Sequence, residues 1–198
     1  MRRTVLTCLV AIGALCASQA LAGARAVVQT RTYDIAGSSG AALVEAMDSK
    51  GPRHGFMTHA IATTAYTVDW NLNATEGNGF CRMRRVNGTL NLFYTFPRLA
   101  SPATPELKRR WVRFFAGVRA HEETHGRIAR EMMRATERSI AGLRVANDPS
   151  CHKTRREAQL RIRAVYAEYE AKQNAFDRRE HSKGGHVEHL IAALIRKP

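Results

Sequence analysis

His121, Glu122 and His125 stand in the order H-E-x-x-H within the run FAGVRAHEETHGRIAREMM, Phe115 to Met133. Two histidines four residues apart leave the same side of a helix, so their ring nitrogens can reach one ion. Zinc takes such nitrogens at about 2.0–2.1 Å in tetrahedral geometry. Glu122 is turned about 100° round the axis from His121. That direction is poor for sharing the ion and good for accepting a proton from water beside it. The five-residue pattern also recurs by chance, and two core histidines can instead hydrogen-bond to backbone or carboxylates.

The helix that must position these residues has clear ends. Thr104 is a suitable N-cap, Pro105 suits the first helical position, and Glu106 falls in the first turn. No proline follows until after about Leu143. An apolar stripe runs through Leu107, Trp111, Phe114, Val118, Ile128 and Met132. Continuing its three-and-four rhythm through the gap lands on positions 121 and 125. Both imidazoles are therefore expected on the core-facing side of a charged helix.

NDPSC at 147–151 reads as a turn, and a second helix is predicted from about Lys153 to Phe176. Its apolar face is Ala158, Ile162, Val165, Tyr169 and Phe176. As an antiparallel hairpin of equal rise, the two helices bring His125 opposite about residue 170 and His121 opposite about 174. A third metal ligand is then sought among Glu168, Glu170, Asp177, Glu180, His181, His186 and His189. Tyr166 and Tyr169 have the spacing of core residues, with oxyanion stabilisation as the less favoured role. His54, His59 and His152 read as remote. A last short helix is expected at 187–195.

The first half of the chain reads as strand-rich. VVQTRTYDIAG is a predicted strand, and SSGAALVEAMDSKGP a short helix capped by Ser38 or Ser39. AYTVDWNLN places Tyr66, Val68, Trp70 and Leu72 on one face at period two. FCRMRRVNGTLNLFYTF is strand-like, and its Asn87-Gly88 is either a hairpin turn or a bulge in one long strand. Residues 89–96 are a candidate edge strand for an extended peptide.

The chain has 198 residues, 44% hydrophobic and 24% charged, the composition of a globular domain. Residues 1–22 read as a signal peptide. Arg2 and Arg3 precede an apolar run from Val5 to about Leu15, and Ala20-Leu21-Ala22 is an A-x-A cleavage site, with Ala24-Arg25-Ala26 as second choice. An uncleaved anchor is the alternative. One domain is expected over 27–198, with no transmembrane segment after leader removal, in a periplasmic or secreted setting. Only Cys81 and Cys151 then remain, and an oxidising compartment favours a disulfide between them over two buried thiols. Loss of Arg2 and Arg3 lowers the net charge from +14 to +12. Such charge suits anionic cell-envelope polymers or lipid head groups, or plain solubility. No motif points to nucleic acid.

Several stretches together carry a family resemblance: YDIAGSSGAALVEAM, ATTAYTVDW, the cysteine of FCRMRRV, YTFPRL, the helix around HEETHGRIA, Cys151 and FDRREHSKGG. Over about residues 32–186 the chain resembles bacterial secreted proteins predicted to be Zn-dependent proteases, grouped as a domain of unknown function. The resemblance implies His121 and His125 as ligands and Glu122 as catalytic base. The family tends to show an aromatic-Asp pair and then Thr-x-His-Gly. Here Phe176-Asp177 is followed by RREHSKGG, without the threonine and with Ser182 after His181. His181 ranks first as third ligand, His186 second and Asp177 third, Asp177 alternatively orienting a ligand histidine.

Motif and resemblance together imply an α+β fold of zincin-like type: a small antiparallel sheet, then a long antiparallel helical hairpin. The expected activity is hydrolysis of protein or peptide substrates by a zinc (Zn2+) metallopeptidase. The rival expectations are a non-proteolytic metal-binding envelope protein and a basic adhesion or assembly module with structural histidines.

Overall fold

The computed structural model describes residues 25–54 and 58–196. The leader read at residues 1–22 lies outside them. The fold mixes four helices with a small open sheet among the described residues. No described helix is long and apolar enough to cross a membrane.

Strand β1 (Arg25–Ile35) leads to helix α1 (Gly40–Lys50). Ser39 caps α1, its Oγ accepting from the Ala42 N–H at 3.2 Å. A small ribbon follows, β2 (Arg53–His54) with β3 (Thr58–His59). Next come β4 (Thr63–Gly77) and β5 (Phe80–Leu99), joined through a two-residue turn at Asn78-Gly79. Gly79 has φ +72°, which a glycine adopts without steric cost. The chain therefore turns back here, and Asn87-Gly88 lies inside a continuous β5. Gly88 is needed for another reason: a Cβ there would strike the Trp70 ring and the Met133 side chain packed above it. A bulge does occur in β5 at Arg84: Asn73 pairs with Arg85 and Ala74 with Met83, leaving Arg84 as the extra residue.

The sheet order is β1-β5-β4, with β6 (Arg144–Ala146) pairing to the start of β5. Two expectations are corrected. The sheet is mixed, because β1 runs parallel to β5 from Arg25↔Thr89 to Ile35↔Leu99. Strand polarity follows from the connections, and alternating side chains look the same in both polarities. Residues 89–96 are central, hydrogen-bonded to β1 on one side and, as far as Thr95, to β4 on the other. They offer no edge for an added peptide strand.

Helix α2 (Pro105–Ile140) crosses the sheet. Thr104 caps it, Oγ1 accepting from Leu107 N–H at 3.2 Å. Its stripe of Leu107, Trp111, Phe114 and Val118 packs against Leu90, Leu92, Tyr94 and Phe96 of β5 in the main core. Helix α3 (His152–Glu180) is longer than expected, and α4 (His186–Ile195) closes the chain.

A second cluster, Met83, Ile140, Leu143 and Ala158, lies where β5, the end of α2 and the start of α3 meet. The Cys81–Cys151 disulfide spans the same region, with Cα atoms 5.3 Å apart. Asp148 fastens the first turn of α3, accepting from Lys153 N, Thr154 N and Thr154 Oγ1 at 3.1, 2.8 and 2.8 Å.

Candidate metal centre

Where α3 meets α2, residue numbers fall on one helix as they rise on the other. Arg161 donates to Ser139 O, Gln173 meets His125, and Asp177 meets His121 and His125. This register is about one turn off the sequence estimate. The start of α3 is held on β5 by the disulfide, and Thr154 Oγ1 lies 3.4 Å from Cys81 O there, beyond the end of α2.

The register brings two pairs spaced by four residues together, His121 with His125 and Asp177 with His181. His121 is 8% exposed, and Phe176 stacks on it at 4.8 Å between ring centroids. Its Nε2 lies 3.2 Å from His125 Nε2 and 3.4 Å from Asp177 Oδ1. His125 Nε2 lies 2.9 Å from the same oxygen. The His181 ring stands edge-on to His121 at 5.3 Å, although His181 is exposed. Ligand atoms of His121, Asp177 and His181 all fall within 4.8 Å of one another. His186 begins α4, exposed and outside that group.

Donors at about 2.05 Å from a tetrahedral zinc are separated by about 3.3 Å. The three measured separations of 3.2, 3.4 and 2.9 Å bracket that value. Burial, then the neighbouring His125 ring, pulls His121 down from 6.5 to about 4, against Asp177. His121 is thus neutral at pH 7 and keeps a lone pair for a metal. Its Nδ1 is buried without a hydrogen-bond partner, the Glu180 carboxylate being 3.9 Å away. The residues fit a zinc ion.

His125 is held by a residue the sequence reading missed. Gln173 Nε2 donates to His125 O at 3.1 Å, which fixes the direction of the amide. Gln173 Oε1 then faces His125 Nδ1 at 2.5 Å and must accept from it. His125 Nδ1 is thus the nitrogen that donates to Gln173, and Nε2 is the one that faces His121 and Asp177. The available signal was spacing: 173, 177 and 181 share one helix face.

Glu122 is buried, 6% exposed, and turned toward β4. Thr64 Oγ1 lies 2.6 Å from Glu122 Oε2 and 3.0 Å from its main-chain oxygen. Tyr166 accepts from Trp70 Nε1 at 2.8 Å, and Tyr169 is buried. His59 lies at the surface with Nδ1 2.8 Å from Asp48 O, and His152 is exposed at the start of α3.

The helix sits this close to β5 because residue 126 has no side chain. A Cβ on Gly126 would overlap the Tyr94 hydroxyl. Alanine there gains about 1 kcal/mol of helix propensity. The overlap is expected to reverse the sign. Gly126→Ala should lower stability by about 1–3 kcal/mol in urea unfolding, and adding Tyr94→Phe should recover most of it. A stabilised Gly126→Ala protein would refute the close approach.

Fold and site define an α+β protein with an H-E-x-x-H helix whose histidines meet carboxylate and imidazole donors from the next helix. The chain belongs to the family described as bacterial protein of unknown function (DUF922), which matches residues 30–186, most of its length. Comparisons with curated proteins and with solved structures give no match.

Proposed function

We propose that the protein is an exported, periplasmic or secreted, zinc-dependent peptidase of zincin-like arrangement, with α2 and α3 as the helical hairpin that holds the metal. One observation carries this reading: three donor atoms at zinc-like spacing, two of them on the helix that carries the buried Glu122. His121, His125 and Asp177 would hold the ion. The Asp177 carboxylate, 2.9 and 3.4 Å from the two ring nitrogens, is taken as third ligand, with His181, ranked first from sequence, as the alternative. Bound zinc supplies Lewis-acid chemistry, polarising a carbonyl and acidifying water. Glu122 accepts the proton from the attacking water and returns it to the leaving amine. Thr64 holds the Glu122 carboxylate against β4. Gln173 keeps the His125 proton on the nitrogen that faces away from the donor cluster.

The test is zinc content together with cleavage of unfolded casein. The wild-type protein should carry one zinc and cleave, and a chelator should stop cleavage until zinc is restored. His121→Ala and Asp177→Ala should lose the metal, whereas His181→Ala should keep it. A folded wild-type protein that binds no zinc would end the proposal. Gln173→Leu should weaken zinc binding by about 10–100-fold in chelator competition, with the fold retained. Unchanged affinity would remove Gln173 from the site.

The proximity of His181 favours a second reading. With His181 added to His121, His125 and Asp177 the site would be closed, as in structural zinc sites. That reading expects tight zinc, loss of affinity in His181→Ala, and no cleavage.

A further inference from the structure

The sheet has two unlike faces. On β4 and β5, Val68, Trp70, Leu90 and Leu92 point into the main core. The residues between them point the other way. On that side Ala65, Thr67, Asp69, Asn71 and Asn73 of β4 are all exposed, so no described element covers the strand there. Over positions 65–73 the uncovered face is about 27 Å long. It is three strands wide, β1-β5-β4.

Its composition runs against strand preference. Asparagine is depleted in strands, where threonine and other β-branched residues are favoured. Four asparagines nevertheless lie on this one face, Asn71 and Asn73 on β4 and Asn87 and Asn91 on β5. Asn71 stands directly opposite Asn87. Asn91 Nδ2 donates to Asp69 Oδ2 at 3.1 Å. Asn71, Asn73 and Asn87 make no side-chain hydrogen bond to another described residue. Phe93 lies on the same face between Gln29 of β1 and Ala65 of β4. It is half-buried and belongs to neither core cluster. The face also departs from the charge of the chain. No lysine or arginine occurs at 54–81 or at 86–97, although the chain has 31 of them. Arg25, Arg31 and Arg85 stand at its margins. From Ala65 to Asn71 on β4 and from Asn87 to Phe93 on β5, Asp69 is the only charged residue.

We propose that this face binds an uncharged, linear polysaccharide. A sugar hydroxyl both donates and accepts, and a carboxamide offers both functions in one plane. The Asp69 carboxylate accepts from a hydroxyl in the same way. Phe93 supplies an apolar ring for the C–H side of a sugar, and the small Ala65 beside it leaves that ring within reach. A polyanion fits less well, because Asp69 would meet it at the centre while the cations stand at the margins. A second copy of the chain fits less well too. The middle of a protein interface is rich in aromatic and apolar residues, whereas here Val27 and Phe93 stand among amides and hydroxyls. The metal centre lies on the other side of the sheet, so the proposal stands whether or not the protein is a peptidase.

The test is co-sedimentation of the purified protein with cellulose and with chitin, at about 0.15 M and about 1 M salt. Cellulose offers hydroxyls alone and chitin adds acetamido groups, so the two arms separate the kinds of sugar. Retention by either supports the proposal, and it should survive the higher salt, which suppresses adhesion through net positive charge. Asn71→Thr/Asn87→Thr/Asn91→Thr removes three carboxamides and should weaken retention at least about tenfold. Its thermal midpoint should stay level or rise, because threonine is the better strand residue. Phe93→Leu keeps an apolar side chain without the ring and should also weaken retention. Wild-type protein that stays in solution with both polymers would overturn the proposal, as would retention that vanishes at high salt or persists in full in the asparagine triple. A lowered midpoint in that triple would assign the asparagines to the fold instead of a site. A dimer lost in the triple, without retention on either polymer, would make a second copy the occupant.

Discussion

Glu122→Gln should reduce peptide cleavage by about 10²–10⁴-fold, the usual contribution of a positioned general base, while zinc content stays at the wild-type level. The substitution is nearly isosteric. A glutamine oxygen still accepts from Thr64 Oγ1, now 2.6 Å from the carboxylate, so the contact between α2 and β4 survives. The lost property is the capacity to take up a proton at neutral pH. The proposed ligand atoms belong to other residues, so metal binding and proton transfer should separate cleanly. Thr64→Val is a graded companion: the carboxylate remains but loses its tether, so cleavage should fall less. Full cleavage by Glu122→Gln would remove Glu122 from the chemistry. Loss of zinc in a folded Glu122→Gln protein would instead make it part of the metal site.

Breaking the disulfide has the largest expected effect on stability. The bridge joins residues 70 apart, and closing a loop of that size is worth roughly 4 kcal/mol in the chain-entropy account. Cys81→Ala/Cys151→Ala should therefore lower the thermal midpoint by roughly 8–16 °C. Alanine is the suitable replacement because Cys81 is 0% and Cys151 4% exposed, and a serine hydroxyl would need a buried partner. The consequence should extend to the metal centre. The bridge anchors the start of α3, and α3 carries Gln173, Phe176 and Asp177 far along its length. Zinc affinity should fall in the double variant even below its melting range. A reduced wild-type protein with an unchanged midpoint would show that the second core and the Asp148 cap hold α3 alone.

Much of the site could be read along single elements. The stripe on α2 identified His121 and His125 as inward-facing, and His121 is buried as that rhythm requires. Thr104 and Pro105 marked the helix start, which falls at Pro105. The alternation in β4 gave the half-buried face of Tyr66, Val68, Trp70 and Leu72. Other features needed a partner from elsewhere in the chain. Gly88 looked like a turn residue, and only Trp70 and Met133 explain it. Gly126 drew no notice until Tyr94 was beside it. Gln173 is an unremarkable polar helix residue until His125 stands opposite.

The helix carrying H-E-x-x-H, the inward aim of its histidines and the pair of cysteines available for a bridge are legible from the residues alone. These depend on helical period, capping chemistry and composition, all local to a segment. Packing in three dimensions makes β1 parallel to β5, puts residues 89–96 in the middle of the sheet, and brings the Asp177 carboxylate against both histidines with the His181 ring beside His121. Such outcomes depend on how far one helix slides along another. At 1.5 Å per residue, a shift of one turn exchanges one candidate ligand for the next. That slide is set at the far end of α3 by the disulfide and Thr154 on β5, about twenty residues before the metal centre.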